Sequence, residues 1–397
     1  MSHSKYTFVI LSTTDWDAPQ FGSRQQIALQ LAKRGHQVLF TEQPRALHSL
    51  ISDRKKSLLQ TRRWLEGGLR TVIPDLPNLQ VYSPPPVLPI FYHPLTNPIS
   101  QRILKIALRR TLKRLGWQAD IFWTYWANSD YLVGAFREKM AVYHCIDNFR
   151  ASGYPFVSVE HMIALEERLC QKVDYVFTRT TGSADLLKPH SHRLAILDGG
   201  VDLAQFDASR EFHIPPELAD VPSPRIGLVG SLDDRLDVEL LDYVANRHPD
   251  VQLVLAGFYR AHLVDLSTLL ARANVHLLPA VPHHRVPEFV AQFDVCLIPY
   301  RVNDFTREVS PLKLYEFLAM GKPVVATPLP YNCREEKHIY LAETSQDFAN
   351  AVGEALNEPV SLEVQASRRQ AAEPHTWANQ VDMIEQDLQL RNGKEIT

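Results

Sequence analysis

The stretch REVSPLKLYEFLAMGKPVVATPLP, residues 307–330, sets two carboxylates, Glu308 and Glu316, around Pro311 and Lys313. Ser310 is a good N-cap, and Pro311 suits the first helical position. Gly321 with Lys322 and Pro323 ends the helix, and residues 324–327 read as a buried strand. A lysine in the first turn lies where the helix dipole is positive, a place that most helices give to Asp or Glu. That placement becomes favourable when an anion docks, because the free N–H groups of the first turn and the Lys313 ammonium then converge on one phosphate. Glu308 stands just before the helix and Glu316 about a turn and a half inside it. Carboxylates accept strong hydrogen bonds from hydroxyls, so a phosphorylated, hydroxyl-bearing ligand is expected here. The alternative is a solvated helix with scattered charges.

These residues need a frame to hold them. A chain of 397 residues exceeds one ordinary core, so two domains are expected. At 45% hydrophobic and 22% charged residues the composition is that of a soluble globular protein. Strand-like runs (YTFVIL, HQVLFTE, DIFWTYW, MAVYHCID, DYVFTRT) alternate with helical patterns in the first half, and RIGLVGS, VQLVLAGF, VHLLPAV, DVCLIPY and PVVATP repeat the rhythm in the second. The fold class expected is α/β, with two doubly wound parallel-sheet domains. The Pro-rich, charged stretch 207–224 reads as the linker, between an N-terminal domain (1–206) and a C-terminal domain (225–375). Ligands of such domains bind outside the carboxyl ends of the strands, which marks Gly22, Gly230, Arg235 and Tyr259 as candidate contacts.

Charge is divided unevenly: residues 1–200 carry 25 Lys and Arg against 16 Asp and Glu, and residues 201–397 carry 17 against 29. Much of the positive excess lies in residues 45–63 and 101–118. Each reads either as a surface for anionic membrane or acceptor, or as an ordinary solvated helix with its apolar face in the core. No apolar run approaches a membrane span and no signal-peptide pattern opens the chain, so a cytoplasmic protein is expected, on its own or peripheral to the inner face of the membrane. Nucleic acid is not an expected partner. Cys145, Cys170, Cys296 and Cys333 show no metal-ligand spacing and read as reduced thiols.

The stretch beginning at Glu308 resembles the E-x7-E signature of the retaining glycosyltransferases of the GT-B fold, family 4, in which two Rossmann-like domains face each other across a cleft. LDGGVDLAQF (residues 197–206) resembles that family's turn at the end of the first domain. GLVGSLDDRLDVELL followed by VQLVLAGF resembles the opening of its second domain, and PHTWANQVDMI its final Trp-bearing helix, which returns to the first domain (here 376–397). The resemblance implies that Glu316 accepts hydrogen bonds from the ribose of a sugar nucleotide and that Glu308 contacts the transferred sugar. Lys313 and the backbone of Ser310, Pro311 and Leu312 would surround the diphosphate. It also implies an acceptor attacking from the leaving group's own face, with no separate general base.

The sequence departs from that pattern in two places. Where the family has a Gly-Gly turn after the first strand, this chain has QFGSRQ, so Gly22 and Arg24 are the candidates for letting a helix start approach a phosphate. Where it has an Arg and Lys pair after the first strand of the second domain, GSLDDRLD offers Arg235. Of the groups ending the mid-domain strand in YHCIDNF, Asp147 is the preferred catalytic candidate, and His144 reads as a strand histidine with an ordinary partner. Asp15 and Asp17 in DWD resemble a metal-binding pair, but an acceptor-side contact is the reading favoured. His283 and His284 read as surface or helix-cap histidines. No metal or other cofactor is expected, the nucleoside-diphosphate sugar being a substrate. The function expected is transfer of a sugar from such a donor to an acceptor hydroxyl with retention of configuration. The alternatives are a sugar-nucleotide epimerase of the same fold and a non-catalytic sugar-nucleotide-binding protein.

Overall fold

The structure, a computed structural model, describes residues 5–19, 21–46, 54–88, 92–146, 157–307, 309 and 312–390. It divides into two compact units, residues 1–198 with 380–397, and residues 199–379.

The first unit is built on β1 (Thr7–Leu11), α1 (Ser23–Lys33), β2 (Gln37–Thr41), α2 (Arg54–Leu65), β3 (Leu69–Thr71), β4 (Leu79–Tyr82), α3 (Asn97–Leu115), β5 (Ile121–Thr124), β6 (Met140–Cys145), α4 (Val159–Lys172), β7 (Tyr175–Thr178), α5 (Thr181–Leu187) and β8 (Leu194–Ile196). The eight strands run in the order β3-β4-β2-β1-β5-β6-β7-β8, and every pairing is parallel except β3 with β4. Central strands such as TFVIL and IFWT are buried on both faces, which is why they read as continuous apolar runs. In α3, Leu104, Leu108 and Leu112 face the core, while Arg102, Arg109 and Arg110 are exposed.

The second unit holds β9 (Arg225–Leu232), α6 (Val238–Arg247), β10 (Gln252–Tyr259), α7 (Ser267–Leu270), β11 (Val275–Leu278), α8 (Val286–Ala291), β12 (Val295–Ile298), α9 (Asp304–Arg307), α10 (Leu312–Ala319), β13 (Val324–Ala326), β14 (Tyr340–Leu341), α11 (Ser345–Leu356), α12 (Leu362–Ala372) and α13 (Trp377–Asp387). Its six strands lie in the order β11-β10-β9-β12-β13-β14, all parallel. The change of direction between β9 and β12 makes a crevice-forming switch point at the carboxyl end of β9.

The stretch 207–224, expected as a linker, lies within the second unit, where Leu218 and Val221 are buried in the core. From Gln380 onward α13 belongs to the first unit. There Glu385, 3% exposed, accepts from Arg34 Nη1 at 2.7 Å and meets His36 Nε2 at 3.0 Å. His36 Nδ1 accepts from the Tyr6 N–H, so the ring proton lies on Nε2 and is donated to the carboxylate.

Candidate functional site

The site in the second unit starts from a close approach of backbones. Gly257 on β10 pairs in register with Gly230 on β9, and a Cβ at Gly257 would lie 1.6 Å from the Gly230 carbonyl oxygen. Gly230 has φ +141°, a region that side chains rarely adopt. A Cβ on it would sit 3.1 Å from Lys313 Nζ. The bare backbone at the end of β9 thus leaves room for the lysine of α10.

Lys313 Nζ is shielded from solvent, has no regular hydrogen-bond partner among the described residues, and lies over the Tyr300 ring, 5.1 Å from its centroid. The Arg235 guanidinium approaches the same ring at 5.6 Å. Both elements are pinned: Asp237 N–H donates to Pro299 O and Arg301 N–H to Arg235 O, tying the loop after β9 to the end of β12. Burial raises the Tyr300 hydroxyl, but the Lys313 and Arg235 charges outweigh it and hold the phenol below its ordinary value. Arg235 is bound on two atoms by Asp233, at 2.7 and 2.6 Å. That clamp keeps Asp233 below the usual carboxylate range despite burial. Arg235 is therefore a neutralised pair, whereas Lys313 has no counter-ion among the described residues. An ammonium out of water with no acceptor is costly, and an anion arriving beside it relieves that cost.

One turn along α10, Glu316 Oε1 lies 2.9 Å from His283 Nε2. His283 is fixed from behind, because Gln205 Nε2 donates to its carbonyl oxygen at 2.7 Å and Phe206 meets the ring edge to face. Burial lowers the imidazole pKa, but the hydrogen bond and charge of Glu316 outweigh burial and raise it. This corrects the surface or helix-cap reading: His283 is half-buried and holds a carboxylate. Sequence inspection missed it because the partners are 33 residues apart. Gly321 (φ +68°) ends α10 as expected. Leu312 opens the described helix, half-buried. Tyr259 does not join these groups, since its hydroxyl accepts from the Leu266 N–H at 3.4 Å and its ring packs on the unit's core. Glu308, Ser310 and Pro311 lie outside the described residues, as does Asp147 in the first unit.

In the first unit Gly22 precedes α1 with open space around its Cα, so nothing there requires glycine. Arg24 lies 5.7 Å from the centroid of the Tyr125 ring. His144 on β6 is 1% exposed between Trp123 and Tyr125, and neither ring nitrogen has a partner among the described residues. Burial, with the charges of Arg179 and Arg24 beside it, pushes the imidazole well below its ordinary value. The ordinary partner expected for it is not found among the described residues, and the ring is held neutral. The Tyr125 hydroxyl and Trp123 Nε1 are likewise buried and, among the described residues, have no regular hydrogen-bond partner beyond each other. Asp15 and Asp17 are each paired to arginine, Asp15 with Arg45 and Asp17 with Arg63 and Arg70.

Residues 223–358 match the model of the family described as Glycosyl transferases group 1. The chain is 26% identical over 226 residues to the Bacillus subtilis (strain 168) protein TuaH, named for a glycosyltransferase role in teichuronic acid biosynthesis. The match covers 53% of this chain and 56% of that relative. Among solved structures, a sucrose-phosphate synthase from Thermosynechococcus elongatus superposes with TM-score 0.68 at 16% identity, covering 97% of this chain and 99% of that one. Anabaena Alr3699/HepE in complex with UDP-glucose gives TM-score 0.63 at 15% identity, covering 98% and 100%. WaaG, a glycosyltransferase involved in lipopolysaccharide biosynthesis, gives 0.60 at 16%, covering 96% and 98%. At these identities the solved structures show the fold, and the expected pair of doubly wound units of the GT-B type is borne out.

Proposed function

We propose, from a second unit that carries a Glycosyl transferases group 1 domain, that this chain transfers a sugar from a nucleoside-diphosphate sugar to an acceptor hydroxyl with retention of configuration. The observation that carries the reading is Lys313: a shielded ammonium with no regular hydrogen-bond partner among the described residues, at a switch point, beside a glycine whose missing side chain leaves it room. Breaking the bond between the anomeric carbon and phosphate places negative charge on the departing diphosphate and positive charge on an oxocarbenium-like sugar. A preformed cation at the phosphate stabilises the first. Glu316, oriented by His283, keeps Oε2 for a ribose hydroxyl, and Glu308 is assigned to the sugar. In this reading the leaving phosphate oxygen takes the acceptor's proton.

Solved neighbours were crystallised with UDP-glucose, which supports a nucleotide-sugar donor for this fold. The acceptor is assigned to the first unit, whose buried polar groups at Trp123, Tyr125 and His144, without regular partners among the described residues, suit hydroxyls. Asp147, Gly22 and Arg24 belong to the same proposed side, and no metal is required. No described helix is long and apolar enough to cross a membrane, and peripheral attachment to anionic lipid is part of the proposal.

The test follows nucleoside diphosphate released from a panel of nucleotide sugars, in EDTA, by wild type and Lys313→Ala. The proposal expects one donor to be consumed, with a loss of about 100-fold or more in the variant. Equal release by both proteins removes the leaving-group role. Loss in EDTA with recovery on manganese would return the metal reading of Asp15 and Asp17.

A further inference from the structure

α2 is built inside out. Of its residues the buried ones are polar, Ser57 and Gln60. Gln60 Nε2 donates to Gln43 O at 2.7 Å, and Arg63 reaches Asp17 at 3.1 Å, so the helix is held to the first unit by polar contacts. Its apolar residues face solvent, with Leu58 50%, Leu59 48% and Leu65 72% exposed. Helical spacing puts Lys55, Leu58, Leu59 and Arg62 on one ridge, and Arg54, Lys55, Lys56 and Arg62 are all exposed.

The neighbouring helix extends the pattern. The Arg114 guanidinium of α3 donates at 2.8 Å to the carbonyl of Gly67, just past the end of α2. The outer face of α3 carries Ile99, Ile106, Arg102, Arg109, Arg110 and Lys113, all exposed. Neither helix contains an Asp or a Glu.

We infer that α2 docks on an anionic lipid bilayer, with Leu58, Leu59 and Leu65 entering the headgroup boundary and the surrounding cations meeting lipid phosphates. A soluble polyanion gains nothing from the leucine ridge. A second copy of the chain would bring cations against cations, since Glu66, the acid at the end of this face, is already paired to Arg62. An anionic bilayer satisfies both features. The docking itself stands on the geometry of α2; it rests on the proposed transferase only for its purpose, which is to bring the acceptor side to a membrane-borne substrate.

The experiment is co-sedimentation of the full chain with vesicles of phosphatidylcholine alone or with about 30% phosphatidylglycerol. Wild type binds the anionic vesicles, releases them at about 0.5 M salt, and leaves phosphatidylcholine unbound. Leu58→Gln with Leu59→Gln weakens binding by more than about tenfold, and Lys55→Glu weakens it too, both variants keeping the wild-type thermal midpoint. Failure of wild type to bind, or equal binding to phosphatidylcholine, overturns the inference. Binding that survives the leucine substitutions assigns the face to a soluble polyanion and overturns it as well. A nucleotide thermal shift on the same preparation separates the two proposals, since absent vesicle binding with a retained shift removes the docking and leaves the transferase standing.

Discussion

At the residue scale the second unit gives each polar group a distinct position. Asp233 satisfies Arg235, His283 holds one oxygen of Glu316, and Lys313 has no regular acceptor among the described residues. Glu316→Gln should therefore raise the donor KM, with a smaller change in kcat, since a ribose contact binds ground state and transition state alike. A purely structural Glu316 would leave KM unmoved. The His283 pair carries a pH signature. Its folded pKa is raised, so the charged pair contributes stability that is fully present below about pH 6.5 and is lost as pH rises through the raised value. In urea unfolding the gap between wild type and His283→Ala should narrow from pH 5.5 to alkaline pH; a widening gap contradicts the pairing. The misplaced charge of Lys313 was legible in the sequence, because a cation at a helix start violates a local rule. The His283 contact was not, because only the fold brings α10 beside the turn before α8.

At the element scale the strands were legible from their unbroken apolar runs, and the end of α10 from Gly321, Lys322 and Pro323. α2 misleads any reading by hydrophobic periodicity, since its leucines mark the face that the core does not cover. α13 shows how a terminal helix is fixed by charge: Glu385 is buried against Arg34 and His36. Those partners hold its carboxyl below the ordinary range, although burial alone would raise it. The contribution is accordingly present above about pH 4.3 and is lost as pH falls through the lowered value. Glu385→Ala should destabilise the first unit by about 2 kcal/mol at neutral pH, leaving the buried His36 Nε2 without its acceptor while Arg34 keeps Asp382. Calorimetry at pH 7 checks this, and an unchanged midpoint contradicts it.

At the scale of the whole molecule, two parallel sheets wound by helices follow from the strand and helix rhythm of the two halves. The boundary was harder to read. Proline and charge in 207–224 imitate a linker, yet Leu218 and Val221 anchor that stretch in the second unit's core. The central claim is that a nucleoside diphosphate binds the second unit beside Lys313 and Glu316. Its most direct test is a thermal-shift titration of the whole chain with UDP, GDP, ADP and dTDP in EDTA, beside Lys313→Ala and Glu316→Ala. At about 100 times its dissociation constant the correct nucleotide stabilises the folded chain by about 2.7 kcal/mol, a rise of several degrees. The account predicts that one nucleotide gives this rise and that both variants lose most of it. No rise with any of the four, or a rise that both variants keep, would contradict it.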